Sequence, residues 1–94
     1  MELSERAIQT FESEGFVKVY EHQDPAGTLY KEHSHQGKVS IFVTDGSVTL
    51  DFSGEKKEIV APKRFDIPAN TPHSVVVGTD GWIVIIGEEI EGDS

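Results

Sequence analysis

The chain has 94 residues, no cysteine, and 17 acidic against 8 basic side chains, a net charge of −9. That length suits one domain and buries only about 60–65 % of the unfolded surface, so a partner subunit would help. The lack of cysteine removes a disulfide scaffold, a thiolate nucleophile and a thiolate-held metal site, and the acidic balance argues against nucleic acid as a partner.

Valine and isoleucine total 18 residues and leucine only 3. Side chains branched at Cβ are stiff and suit strands, so a mostly-β chain is expected. The first 15 residues read as a helical segment. Ser4 is placed to cap it, Leu3 and Ile8 to form a hydrophobic staple, and Ala7, Ile8 and Phe11 share one face. Gly15 supplies the stop.

Residues 16–87 then read as short strands broken by turn residues. Phe16–Glu21 is the first strand, and Asp24-Pro25-Ala26-Gly27 turns the chain. Leu29–His35 and Lys38–Thr44 follow. Asp45-Gly46 reads as a two-residue hairpin turn, after which Val48, Leu50 and Phe52 alternate. Ser53-Gly54-Glu55 leads into Lys57–Ala61. Phe65 and Ile67 alternate before Pro68. Val75–Val77 and Trp82–Ile86 form a last pair, split by a turn at Asp80-Gly81. Strands at this spacing, without intervening helices, predict an antiparallel sandwich or barrel. Residues 88–94 carry Glu88, Glu89, Glu91 and Asp93 and read as a frayed acidic tail.

No apolar run approaches the ~20 residues of a membrane helix. MELSERAIQT lacks the apolar stretch of an export signal, so a cytoplasmic protein without membrane contact is expected.

The chemistry is concentrated in histidines. His33 and His35 are two residues apart, so on an extended strand both imidazoles point to one side. His73 has the parity of Val75 and Val77 and faces the same interior. Pro68 and Pro72 stiffen its approach. Three convergent neutral imidazoles suit zinc, iron, nickel, copper or manganese as divalent ions. They add no charge, so the ion keeps its full positive charge and some open positions. Val39, Ile41, Val43, Phe65 or Ile67, Val75 and Val77 line the expected interior. His22 reads as solvated, Glu32 and Lys63-Arg64 as surface charge, Phe42 as an outer-face or interface residue, and Trp82 as core or dimer packing. No serine–histidine–acid arrangement and no phosphate-binding glycine loop is visible.

These stretches resemble the cupin superfamily. Its first motif is matched by Gly27, five residues, His33-Ser34-His35 and Gly46. Val39 or Ser40 stands where the family carries a glutamate. The second motif is matched by Pro68, Asn70 in place of a glycine, His73, and Val77 in place of an asparagine, with Pro62 at the leading glycine. The resemblance covers roughly residues 16–87. It implies an all-β fold with a short N-terminal helix, an antiparallel jelly-roll barrel (the cupin double-stranded β-helix). Matched residue by residue, it implies divalent metal ligation by His33, His35 and His73. Without the glutamate, it points to a three-histidine site like that of thiol dioxygenases and diketone-cleaving members. The expected function is dioxygenase-type or isomerase chemistry on a small anionic or chelating substrate. The alternatives are a non-catalytic module for a metal or small ligand, and a purely structural barrel. A two-fold homodimer is also expected from the edges and outer apolar positions of a small barrel.

Overall fold

A computed structural model describes residues 2–90. One helix, α1 (Leu3–Ser13), precedes six strands: β1 (Lys18–Asp24), β2 (Leu29–His33), β3 (Val39–Phe52), β4 (Glu55–Val60), β5 (Lys63–Ile67) and β6 (His73–Glu88). All strand pairs are antiparallel.

Two long strands organise the chain. The first half of β3 lies between β5 and the second half of β6, and β1 covers the far edge of β6. The second half of β3 lies between β4 and the first half of β6, and β2 covers the far edge of β6. One hydrogen-bonded network therefore folds over into two four-stranded layers, with β3 and β6 running through both. The facing sides share one core that includes Val43, Val48, Leu50, Ile67, Val77 and Val84. This is the expected all-β jelly roll.

The bends correct the sequence reading. Asp45-Gly46 does not end a strand, and neither does Asp80-Gly81. A hairpin would pair the residues flanking Asp45-Gly46 with each other. They pair instead with β6, as Asp45 with Ile83, Gly46 with Trp82 and Val48 with Val77. The register shifts on both sides of this dipeptide, so the positive φ of Gly46 (84°) serves a bulge. Gly46 and Gly81 are in close contact: a Cβ on Gly46 would collide with the Gly81 carbonyl oxygen.

The helix covers the outer side of the β1-containing layer. Ala7 and Phe11 are buried with Ile85, and Phe42 packs against them, as expected for an outer-face residue. The N-terminal cap differs from expectation. Glu2 takes the N-cap position without a side-chain hydrogen bond, Ser4 lies inside the helix, and Leu3 is exposed. The stop holds. Gly15 (φ 92°) donates to the Glu12 carbonyl and Phe16 to the Phe11 carbonyl, with the two phenyl rings 5.5 Å apart. This pairing is a Schellman motif with its apolar clasp.

The tail also begins later than expected. Glu88 ends β6 and is buried, and Glu89 N–H bonds the Lys38 carbonyl. The rest of the acidic stretch, residues 91–94, lies outside the described residues.

Candidate metal centre and ligand cavity

The two layers enclose a cavity of about 520 Å³. β2 delivers His33 as its last residue, and β6 delivers His73 as its first, directly opposite in register. His35 follows two residues after His33. The loop before His73 is tied to it: Asn70, at φ 57°, donates its N–H to the His35 carbonyl at 2.7 Å. Asparagine tolerates this left-handed conformation better than most residues. The three rings meet as expected, with centroids 4.4, 4.9 and 5.3 Å apart. One ligand atom from each lies within 4.8 Å of the other two.

The backbone sets the rings for ligation. His33 Nδ1 lies 2.6 Å from the Lys31 carbonyl, and His73 Nδ1 lies 2.8 Å from the Thr71 carbonyl. A carbonyl only accepts, so each Nδ1 carries the proton and each Nε2 keeps its lone pair for an ion. His73 is 1 % exposed. Burial pushes its pKa down, the Thr71 carbonyl pulls it up, and His33 and His35 push it down again, with a net lowering. The neutral, ligating form is thereby favoured. Three imidazoles in this arrangement fit a borderline divalent transition ion.

The carboxylate position of the resemblance is empty of acid. Val39 lines the cavity, whereas the Ser40 hydroxyl sits on the other face and accepts from Arg64 at 3.2 Å. Ile41, Ile67, Val75 and Ile86 supply the rest of an apolar wall. Arg64 also holds Glu14 through two hydrogen bonds of 2.6 and 2.7 Å, so its charge is spent outside the cavity.

The interior is less purely apolar than the sequence suggested. Tyr20, His22, Tyr30 and Glu88 also line it. His22, expected to be solvated, joins a compact network. Asp24 Oδ2 lies 2.6 Å from Tyr30 Oη, 2.8 Å from Trp82 Nε1 and 3.1 Å from His22 Nε2. Burial raises the Asp24 pKa, but the hydrogen bonds from Tyr30 and Trp82 and the neighbouring His22 outweigh it, leaving the carboxyl below its ordinary range. Burial, then the bond to Asp24 and its charge, push Tyr30 up to about 12. Both groups therefore hold fixed protonation states at neutral pH. Tyr20 Oη donates to Glu88 Oε2 at 2.7 Å.

The missed residues had a signal. Tyr20, His22 and Asp24 alternate along β1, a pattern that reads as a wet face. The opposite parity contains Val19, which packs under α1. On that side the helix meets only Val19, with Glu21 and Gln23 exposed; the register with β6 is what brings Tyr20 and His22 onto the cavity.

No family model matches the chain, and no curated protein matches it. Solved structures do. A cupin superfamily protein from Desulfitobacterium hafniense superposes with a TM-score of 0.63 at 15 % identity, over 78 % of this chain and 79 % of that one. A cupin-like protein from Thermotoga maritima gives 0.69 at 24 %, over 86 % and 64 %. The DMSP lyase DddQ from Ruegeria pomeroyi gives 0.69 at 17 %, over 81 % of this chain but only 39 % of its own length. With two bent strands shared between facing layers, three histidines at one end, and these structural likenesses, the chain has the cupin fold.

Proposed function

We propose that this protein is a metal-dependent cupin in which His33, His35 and His73 hold one divalent transition ion and the apolar cavity holds a small anionic, chelating substrate. One observation carries this reading. Three imidazoles from β2, the residues after it, and β6 place ligand atoms within 4.8 Å of one another, and backbone carbonyls fix two of the rings in the ligating tautomer. When bound, the ion supplies Lewis-acid polarisation or oxygen activation for dioxygenase-type chemistry. The chain supplies the rest. Neutral ligands leave the ion's charge uncompensated, which favours an anion. Lys31 at the cavity adds positive potential. Val39, Ile41, Ile67 and Val75 exclude water from the bound substrate.

Loading with iron(II), nickel(II), zinc(II), manganese(II) or copper(II), followed by elemental analysis, tests the centre. One equivalent is expected in the wild type and loss of binding in His73→Ala. Less than about a tenth of an equivalent with every ion would refute the assignment. Oxygen uptake by the iron(II) form with enolic or thiol compounds tests the reaction. The expected homodimer would cover Leu29 and Val76, cross-strand neighbours left exposed on the outer face. Light scattering checks it, and a monomer would overturn it.

A further inference from the structure

We infer that the cavity takes a ligand with two unlike ends: a chelating anionic group toward the three histidines and a hydrogen-bond donor, ammonium or hydroxyl, toward Glu88. The donor end rests on Glu88. The chelating end rests on the metal reading above.

Glu88 is 1 % exposed. It pairs in register with Val39 on one side and Lys18 on the other. Residues directly opposite in an antiparallel pair face the same way. Val39 faces the cavity, so Glu88 does too, and both line it. Tyr20 Oη donates to Oε2 at 2.7 Å. Oε1 is buried and has no hydrogen-bond partner, unlike every other buried side-chain oxygen or nitrogen among the described residues.

An orphaned oxygen of this kind costs roughly 1–3 kcal/mol, and more when charged. Native proteins keep few of them, and a functional role is one reason for keeping one. The metal centre does not account for it. The close-set ligand atoms comprise the three histidines and do not include Glu88. Nor does Asp24, whose donors are Tyr30, Trp82 and His22. What remains is the content of the cavity, water when it is empty and the donor end of a ligand when it is filled.

The chemistry of that molecule follows from the walls. A carboxylate accepts and does not donate, so the end that meets Glu88 must donate. Charge assistance makes this bond worth about twice a neutral one. His73 and Glu88 are the two ends of β6, lying in the two facing layers. Ile41, Ile67 and Ile86 are cavity walls without side-chain donors or acceptors. A hydrocarbon middle would pack against these walls. Short ω-amino or ω-hydroxy carboxylates have this pattern.

The test uses matched acids on the full chain, with and without one equivalent of nickel(II). The probes are γ-aminobutyrate, γ-hydroxybutyrate and valerate, with the shorter set β-alanine, β-hydroxypropionate and butyrate. Binding is read from backbone amide shifts. At least one donor-bearing acid is expected to bind about tenfold or more tightly than its methyl isostere. Glu88→Leu should erase that preference while leaving nickel(II) affinity within about threefold. Glu88→Gln, which keeps an acceptor, should retain hydroxyl preference and lose ammonium preference; it also serves should the leucine variant fail to fold. Equal binding of donor and methyl acids overturns the inference, as does absence of binding by every donor acid. So does a preference that survives in both variants, or a loss of nickel(II) of about tenfold or more in Glu88→Gln. If nickel(II) fails to bind but the Glu88-dependent preference persists, the metal reading falls and the donor site stands. If nickel(II) binds without any preference, the donor site alone falls.

Discussion

Removing the carboxylate of Asp24 should damage both the cavity wall and the fold, by an amount set by what it holds. Three donors converge on Oδ2, from Tyr30, Trp82 and His22. The Asp24 side chain is 12 % exposed, so water cannot fully replace it. In Asp24→Ala, Tyr30 and His22 keep each other across 3.0 Å. Trp82, buried at 4 %, does not: its indole N–H is stranded. A stranded buried donor costs about 1–3 kcal/mol, and the two weakened charge-assisted bonds add about 1 kcal/mol each. The expected loss is about 3–5 kcal/mol. For a domain of this size, whose whole stability is about 5–14 kcal/mol, that is a large share. Asp24→Asn keeps an acceptor and should lose only about 1 kcal/mol. Trp82 is the sole tryptophan, so urea unfolding followed by its fluorescence reports on the perturbed group itself. An Asp24→Ala variant within about 1 kcal/mol of wild type would refute this reasoning.

Other outcomes follow from the same packing. Gly46→Ala should cost about 3 kcal/mol or more, because a Cβ there meets the Gly81 carbonyl and lies 2.9 Å from Trp82 Cα, at a φ of 84° that disfavours side chains; unchanged urea midpoints would refute it. The lowered pKa of His73 means that the unfolded chain takes up the proton first as pH falls below about 6.5. Stability of the metal-free protein should therefore drop from pH ~7.5 to pH ~5.5, and the drop should shrink in His73→Leu; equal midpoints at both pH values would contradict this. Metal affinity should also fall as the pH drops, because protons compete with the ion for the imidazole lone pairs, and dialysis against buffered metal at each pH checks it.

Much of the fold was legible in the chain because β-branched alternation and turn residues act locally. Val39, Ile41 and Val43 declare a buried strand face whatever they pair with. His33 and His73 were legible for the same reason, since parity sends them to one side; His35, expected on the same strand, lies two residues beyond the end of β2 and still meets them. The long strands were not legible. Asp45-Gly46 has the chemistry of a tight turn, and the same positive φ also builds a bulge; which one forms depends on whether β6 lies alongside, a non-local fact. Glu88 was lost to its company. Seen among Glu89, Glu91 and Asp93 it looked like solvated tail, and its register with Val39 places it inside instead. His22 read as solvated and Tyr20 went unnoticed because a strand face of Tyr, His and Asp looks wet in sequence, whereas pairing with β6 sets it against the cavity.

The passage of β3 and β6 through both layers has a further consequence. The opposing walls of the cavity are covalent continuations of one another, joined through Gly46 and through the Gly78–Gly81 stretch. A guest molecule cannot prise them apart as it would two hinged lobes. Its binding energy is therefore distributed along the frame, and amide hydrogen exchange should slow over the full length of both long strands on occupancy. Protection confined to one rim would mean that the walls move independently after all.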